Sequence, residues 1–202
     1  GEIQNKGLAL NVDIFNDKGK PIKNSKGELV CKNPFPTMPL KFWNDNKDKK
    51  FKDAYFNRFN NTWHHGDFAE IKKTRGFIIH GRSDTTLNPG GVRLGTAEIY
   101  SEVEKFKEIK ESIVVGQSWD NDVRIVLFIV MNAKFFLTED LLKKIKIQIR
   151  KNASPRHVPS KVIVVRDIPR TKSGKIVELA VKNIIEGNNI KNKEALANPK
   201  AL

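Results

Sequence analysis

Apolar and polar residues alternate through GLALNVDIF at residues 7–15, break off at the turn-rich NDKGKP, and resume in GELVC at residues 27–31. Period-two patterning interrupted by Gly, Pro and Asn predicts two strands, paired as a hairpin or built into a barrel. NPFPTMPLKFWNDNKDKK, residues 33–50, is crowded with Pro and polar side chains and reads as loop, and DAYFNRF, residues 53–59, as a short helix. Strand character returns over residues 62–84, where Phe77, Ile78 and Ile79 stand between the turn signals Arg75-Gly76 and Gly81. Residues 1–83 therefore make a β-rich piece.

At Thr96 the period changes. Ile99, Tyr100, Val103 and Phe106 fall on one helical face, with Thr96 as N-cap and Glu98 near the positive end of the helix dipole. SIVVGQ and VRIVLFIVM follow as strands, the second apolar enough along its length to be central and covered on both faces. Thr138-Glu139-Asp140 opens a helix whose Leu141, Leu142, Ile145 and Ile149 share a face, with Ile147 off it. KVIVV is a short strand, a loop follows, and residues 176–185 read as a last helix. The fold class is α+β: a β-rich part, residues 1–84, then a smaller α+β domain, residues 85–202, whose short sheet is covered by helices.

Composition narrows the function. A 202-residue chain with 39% hydrophobic residues can bury a core. Its longest apolar run, residues 125–131, is far short of the roughly 20 residues that span a bilayer. No basic stretch followed by a long apolar one opens the chain, so no secretory signal is read, and no membrane partner. A single cysteine, Cys31, cannot close an internal disulfide and points to a reducing cytoplasm. The net charge of +14 invites nucleic acid as a partner, but the cations mix with acids over residues 44–53 and 102–111 and along the Lys-rich tail. Aromatic stacking platforms do not interleave them, and nucleic acid is not the expected ligand.

IPRTKSGK, residues 168–175, concentrates Arg170, Lys172 and Lys175 on a loop tip stiffened by Pro169 and loosened by Gly174. A lysine there suits a solvated turn, a nucleic-acid patch, or a site where an anion is met by a point charge. The phosphate-binding Gly-Lys loop is excluded, because Pro169 stands where that pattern needs its first glycine. His64 and His65 are adjacent on a strand, point to opposite faces and do not chelate one ion, so no metal site is expected. Asp67 follows Gly66 at a strand end, where a carboxylate can accept from ribose hydroxyls or simply form a turn. Arg82 and Arg93 offer planar forks of donors on either side of Gly90-Gly91, a pair that lets backbone approach a ligand closely.

The ordered set of Gly66-Asp67, Gly81-Arg82-Ser83-Asp84, Gly91-Val92-Arg93, SPRHVP and Ser173-Gly174-Lys175 resembles the acyl-adenylate-forming superfamily over nearly the whole chain. Within it, MPLKFWND, LNPGGVRLGTAEIY, SPRHVP and SGKIVELAVKNII look most like the acetoacetate-activating branch. The acetate-activating branch continues Ser-Gly-Lys with Met-Arg-Arg, where this chain has Ile176-Val177-Glu178. The resemblance implies a two-step ligation of acetoacetate, ATP and coenzyme A through an acyl-adenylate, with acetate or propionate as the alternative acids and a non-catalytic basic module as the rival reading. It implies that Asp67 binds the ribose hydroxyls, Arg82 supports them, Arg93 faces a phosphate, and Lys175 bridges the carboxylate and the α-phosphate. It also implies a hinge at Asp84, coenzyme A contacts at Gly90, Gly91 and Arg150, and Mg²⁺ with the ATP. The superfamily's upstream Ser/Thr/Gly-rich phosphate loop has no counterpart here, so the chain reads as a C-terminal fragment, inactive alone, whose first partner is the missing N-terminal domain.

Overall fold

The computed structural model describes residues 2–190 and 193–202; Gly1, Lys191 and Asn192 lie outside it, and with them part of the Lys-rich tail. The chain divides into two compact units, Gly1–Ser83 and Asp84–Leu202.

The first unit is a four-stranded antiparallel sheet in the order β1 (Val12–Phe15), β2 (Lys26–Cys31), β3 (Trp63–Ile71), β4 (Phe77–Arg82). Only the last four residues of the alternating stretch 7–15 pair as strand. The Gly7 carbonyl accepts from the Leu10 N–H at 3.2 Å and Ala9 is left-handed at φ 62°, so a turn replaces the expected first half. Helix α1 (Lys49–Tyr55) begins in the segment read as loop and ends before residue 59. Asp45 explains the shift: its carboxylate accepts the N–H groups of Lys50 and Phe51, each at 2.8 Å, making the polar run NDNKDKK the helix start. Tyr55 at the other end of α1 stacks on Trp63 of β3, ring centroids 3.8 Å apart.

The second unit holds helices α2 (Thr96–Val103), α3 (Glu139–Asn152) and α4 (Glu178–Ile185) around a sheet ordered β5 (Ile109–Trp119), β6 (Asp122–Met131), β7 (Lys161–Val164). Asp120 and Asn121, both at positive φ, close the β5–β6 hairpin in the two-residue turn that suits strand twist. β6 and β7 are parallel, which requires a crossover, and α3 supplies it. Val114, Ile125, Leu127 and Ile129 point to one face of the sheet, where Ile99 and Val103 of α2 and Ile145 and Ile149 of α3 cover them. Ile113 and Val130 point to the other, against Ile168, with Val181 of α4 packed beside them. β6 is buried on both faces, which is why its sequence shows no alternation.

Thr138 caps α3 as expected, accepting from Leu141 N–H at 3.2 Å. Thr96 does not cap α2: Gly95 holds the N-cap position without a side-chain bond, and Thr96 is the first helical residue, buried in the core. The last helix starts at Glu178 rather than at residue 176, because Ile176 bridges back to Arg170 as extended chain. Ile147 faces solvent, and nothing in the fold explains an isoleucine there.

Candidate functional site

In the first unit, Asp67 and Arg82 are register partners across β3 and β4. Asp67 is not at a strand end as its glycine neighbour suggested: β3 continues to Ile71, and Asp67 lies within the register shift against β2 and just before the one against β4. Arg82 Nη1 donates to the His65 carbonyl at 2.6 Å and to Asp67 Oδ1 at 3.4 Å, while His65 Nδ1 lies 2.9 Å from Asp67 Oδ2. Gly66 is required twice over. Its φ of 87° disfavours a side chain, and a Cβ there would come within 2.7 Å of Arg82 Nη2. Burial acts to raise the Asp67 pKa, but the hydrogen bond and charge of His65 and the Arg82 guanidinium outweigh it, holding the carboxyl below its ordinary range. The result is an ionised acceptor, partly open to solvent, whose direction is fixed by two neighbours. His64 turns the other way and bonds Glu28 Oε2 at 2.9 Å, so the two histidines serve different carboxylates.

In the second unit, Asp84 lies in a 3₁₀ turn, Ser83–Thr85. Paired backbone bonds between Leu87 and Leu94, at 3.0 and 2.8 Å, close the loop that carries Gly90, Gly91 and the half-buried Arg93. Gly90 and Gly91 are left-handed at φ 58° and 75°. The Gly90 N–H donates to both Asp122 oxygens, at 2.8 and 3.0 Å, which anchors the loop on the β5–β6 hairpin. A Cβ at Gly91 would meet nothing, so that side of the loop is open. Arg150 is exposed in the last turn of α3.

Lys175 stands on a separate, fastened turn. Thr171 N–H donates to the Lys175 carbonyl at 2.9 Å, Gly174 N–H to the Thr171 carbonyl at 2.8 Å, and Lys175 N–H to Thr171 Oγ1 at 3.1 Å. Arg170 acts as a strut, pairing with Glu111 at 2.9 Å and donating to the Gly174 carbonyl at 3.0 Å. The tail adds a strand-like bridge from Leu196 to Thr171, and the Asn198 amide bonds Asp167, Ile168 and the Arg170 N–H. Gly174 therefore does not loosen the loop; at φ 82° it supplies the turn's left-handed position. The Lys175 ammonium is exposed and makes no ion pair or hydrogen bond among the described residues.

Residues 98–175 match the model of the AMP-binding enzyme C-terminal domain, a match that runs up to Lys175 itself. The whole chain is 60% identical to an acetoacetyl-coenzyme A synthetase of Rhizobium meliloti (strain 1021) and 46% identical to an acetoacetyl-CoA synthetase of Gallus gallus. It spans 31% of the length of each. A solved structure, acetoacetyl-CoA synthetase from Streptomyces lividans, superposes on all of the chain and 31% of its own with a TM-score of 0.93 at 39% identity. The resemblance to acyl-adenylate-forming enzymes carried by the motifs is borne out, as is the α+β fold class.

In the second unit, several fixtures escaped sequence reading. Glu178, three residues after Lys175, accepts from the Thr85 hydroxyl and the Tyr100 hydroxyl, each at 2.5 Å, while Tyr100 accepts from the Val114 N–H at 3.0 Å. Burial, then the Glu178 charge and hydrogen bond, push the Tyr100 hydroxyl well above its ordinary pKa, so it remains a donor at neutral pH. His157 of SPRHVP is buried between Ser154 Oγ at 2.7 Å and Glu98 Oε2 at 3.1 Å, which ties that Pro-rich turn to α2. Its neighbour Arg156 reaches the Gly90 loop, with Nη1 3.5 Å from where a Gly90 Cβ would stand. No spacing rule links residues so far apart in the chain.

Among the described residues, no three His, Cys, Asp or Glu side chains converge on a point that could hold an ion. No helix of the described residues is long and apolar enough to cross a membrane.

Proposed function

We propose that this chain is the terminal part of an ATP-dependent acyl-CoA ligase that joins acetoacetate to coenzyme A. The reading is carried by one observation: the stretch that matches the AMP-binding enzyme C-terminal domain runs to an exposed ammonium, presented on a turn that holds its shape without that side chain. In the first step an acetoacetate oxygen attacks the α-phosphorus of ATP and pyrophosphate leaves. Lys175 lies between the attacking carboxylate and the α-phosphate, offsets their repulsion and stabilises the charge of the transition state. Asp67 accepts from the ribose hydroxyls, Arg82 holds Asp67 in place, and Arg93 meets a phosphate. In the second step the coenzyme A sulfur attacks the acyl carbon, the acyl–phosphate bond breaks, AMP leaves and the thiol proton passes to solvent.

For the second step the domain turns about Asp84, withdrawing Lys175 and bringing Gly90 and Gly91 to the pantetheine arm, with Arg150 on a coenzyme A phosphate. Gly91 suits that role because nothing of the chain's own occupies the space a Cβ would take. A large N-terminal domain is the required partner and supplies the acyl pocket, and the single buried Cys31 fits a reducing cytoplasm.

The test is pyrophosphate exchange into ATP over a panel of carboxylates. The full-length ligase is expected to prefer acetoacetate over acetate and propionate, and the 202-residue chain to give no exchange with any of them. Preference for acetate, or exchange by the chain alone, would reject this reading.

A further inference from the structure

The two neighbours of Asp84 are both hydroxyl residues, and each hydroxyl is spent on a carboxylate of its own unit. Ser83 donates to Glu28 Oε2. Glu28 is completely buried in β2 and also holds Arg58 at 2.8 Å and His64 at 2.9 Å. Thr85 is buried and donates to Glu178 Oε2, whose second oxygen takes the Tyr100 hydroxyl. Ser83 and Glu28 belong to the first unit; Thr85, Tyr100 and Glu178 belong to the second. A hydrogen bond to an ionised group is stronger than a neutral one, and burial strengthens it further.

We infer that Ser83 and Thr85 are anchor residues, seated in Glu28 and Glu178, that confine the turning of the chain to Asp84. The inference rests on the pivoting proposed above and adds the parts that make one residue the pivot. Were either flank loose, rotation would spread over several residues and the domain would sample many orientations, few of them productive. Glu178 has a second effect because it opens α4 three residues after Lys175. The carboxylate that seats Thr85 therefore also fixes the base of the lysine turn, so a rotation at Asp84 reaches Lys175 without slack. Ser83, Thr85, Glu28 and Glu178 act through other groups and are positioning residues.

Thr85→Val keeps the side-chain shape and removes the donor, whereas Thr85→Ser keeps the donor. In the 202-residue chain, amide hydrogen exchange over residues 83–88 is expected to rise about tenfold in Thr85→Val and to stay slow in Thr85→Ser, as follows from losing one charge-assisted hydrogen bond. In the full-length ligase Thr85→Val is expected to lower the kcat of overall ligation about tenfold with the KM for ATP unchanged, and Thr85→Ser to restore it. Unchanged exchange and kcat in Thr85→Val would overturn the inference, as would equal losses in the valine and serine variants, which would make the role one of packing. Lys175→Ala measured in parallel separates two failures. Normal adenylation by that variant overturns the ligase reading and the inference with it; slow adenylation beside a normal Thr85→Val overturns the inference alone.

Discussion

Replacing Lys175 by alanine is expected to slow acyl-adenylate formation about 10²- to 10³-fold, the usual cost of removing one pre-placed transition-state charge or donor. Thioester formation from supplied acetoacetyl-adenylate is expected to stay near its normal rate. The asymmetry follows from how the turn is built. Its shape depends on the backbone bonds of Thr171 and Gly174 and on the Arg170–Glu111 pair, none of which uses the Lys175 ammonium. Truncation therefore removes a charge and leaves the loop in place. In the proposed reaction the charge is needed only while a carboxylate approaches a phosphate, since the later attack by sulfur on the acyl carbon brings no such pair of anions together. Single-turnover assays of the two half-reactions decide the matter, and equal loss in both would mean that the variant disturbs the domain rather than its chemistry.

Replacing Glu28 by alanine is expected to destabilise the first unit by about 3 kcal/mol, the low end of what breaking a buried ion pair costs. Glu28 has no exposed surface, and its carboxylate takes Arg58 Nη1, His64 Nε2 and the Ser83 hydroxyl together. Removing it takes a buried partner from all three. The low end applies because the Arg58 side chain is 35% exposed and can turn to water, and it keeps its other partner, Asp17, at 2.7 Å. The denaturant midpoint followed at Trp63, which lies in the same sheet, reports the loss. A change under about 1 kcal/mol would show that the cluster adds no more than an exposed ion pair does.

Much of the fold was legible because it rests on patterns that the chain displays locally. The unbroken apolar run in β6 announced a strand covered on both faces, and Thr138 announced a helix start, since each depends on residues close together in sequence. The misreadings share a cause. α1 was displaced because its first turn is satisfied by Asp45, outside the helix, and Thr96 was misjudged because a Gly95 start with no side-chain cap leaves no signature. Asp67 was placed at a strand end because Gly66 looks like a terminator, whereas that glycine exists to let Arg82 cross the strand. The site's named residues came from motif resemblance; the residues that hold them did not. Glu178 is separated from Thr85 by 93 residues and Glu28 from Ser83 by 55, so only the folded chain reveals that each accepts a hydrogen bond from a neighbour of Asp84.

The most direct measurement is the distance between labels at Lys73 and Lys172, exposed positions on the first and second units, in the full-length protein. It is taken first with ATP and acetoacetate and again after coenzyme A is added. Two distance populations whose balance shifts between the mixtures, and which broaden in Thr85→Val, are expected for a domain that turns at Asp84. A single distance, the same in both mixtures, would contradict a lysine carried in for one step and out for the next.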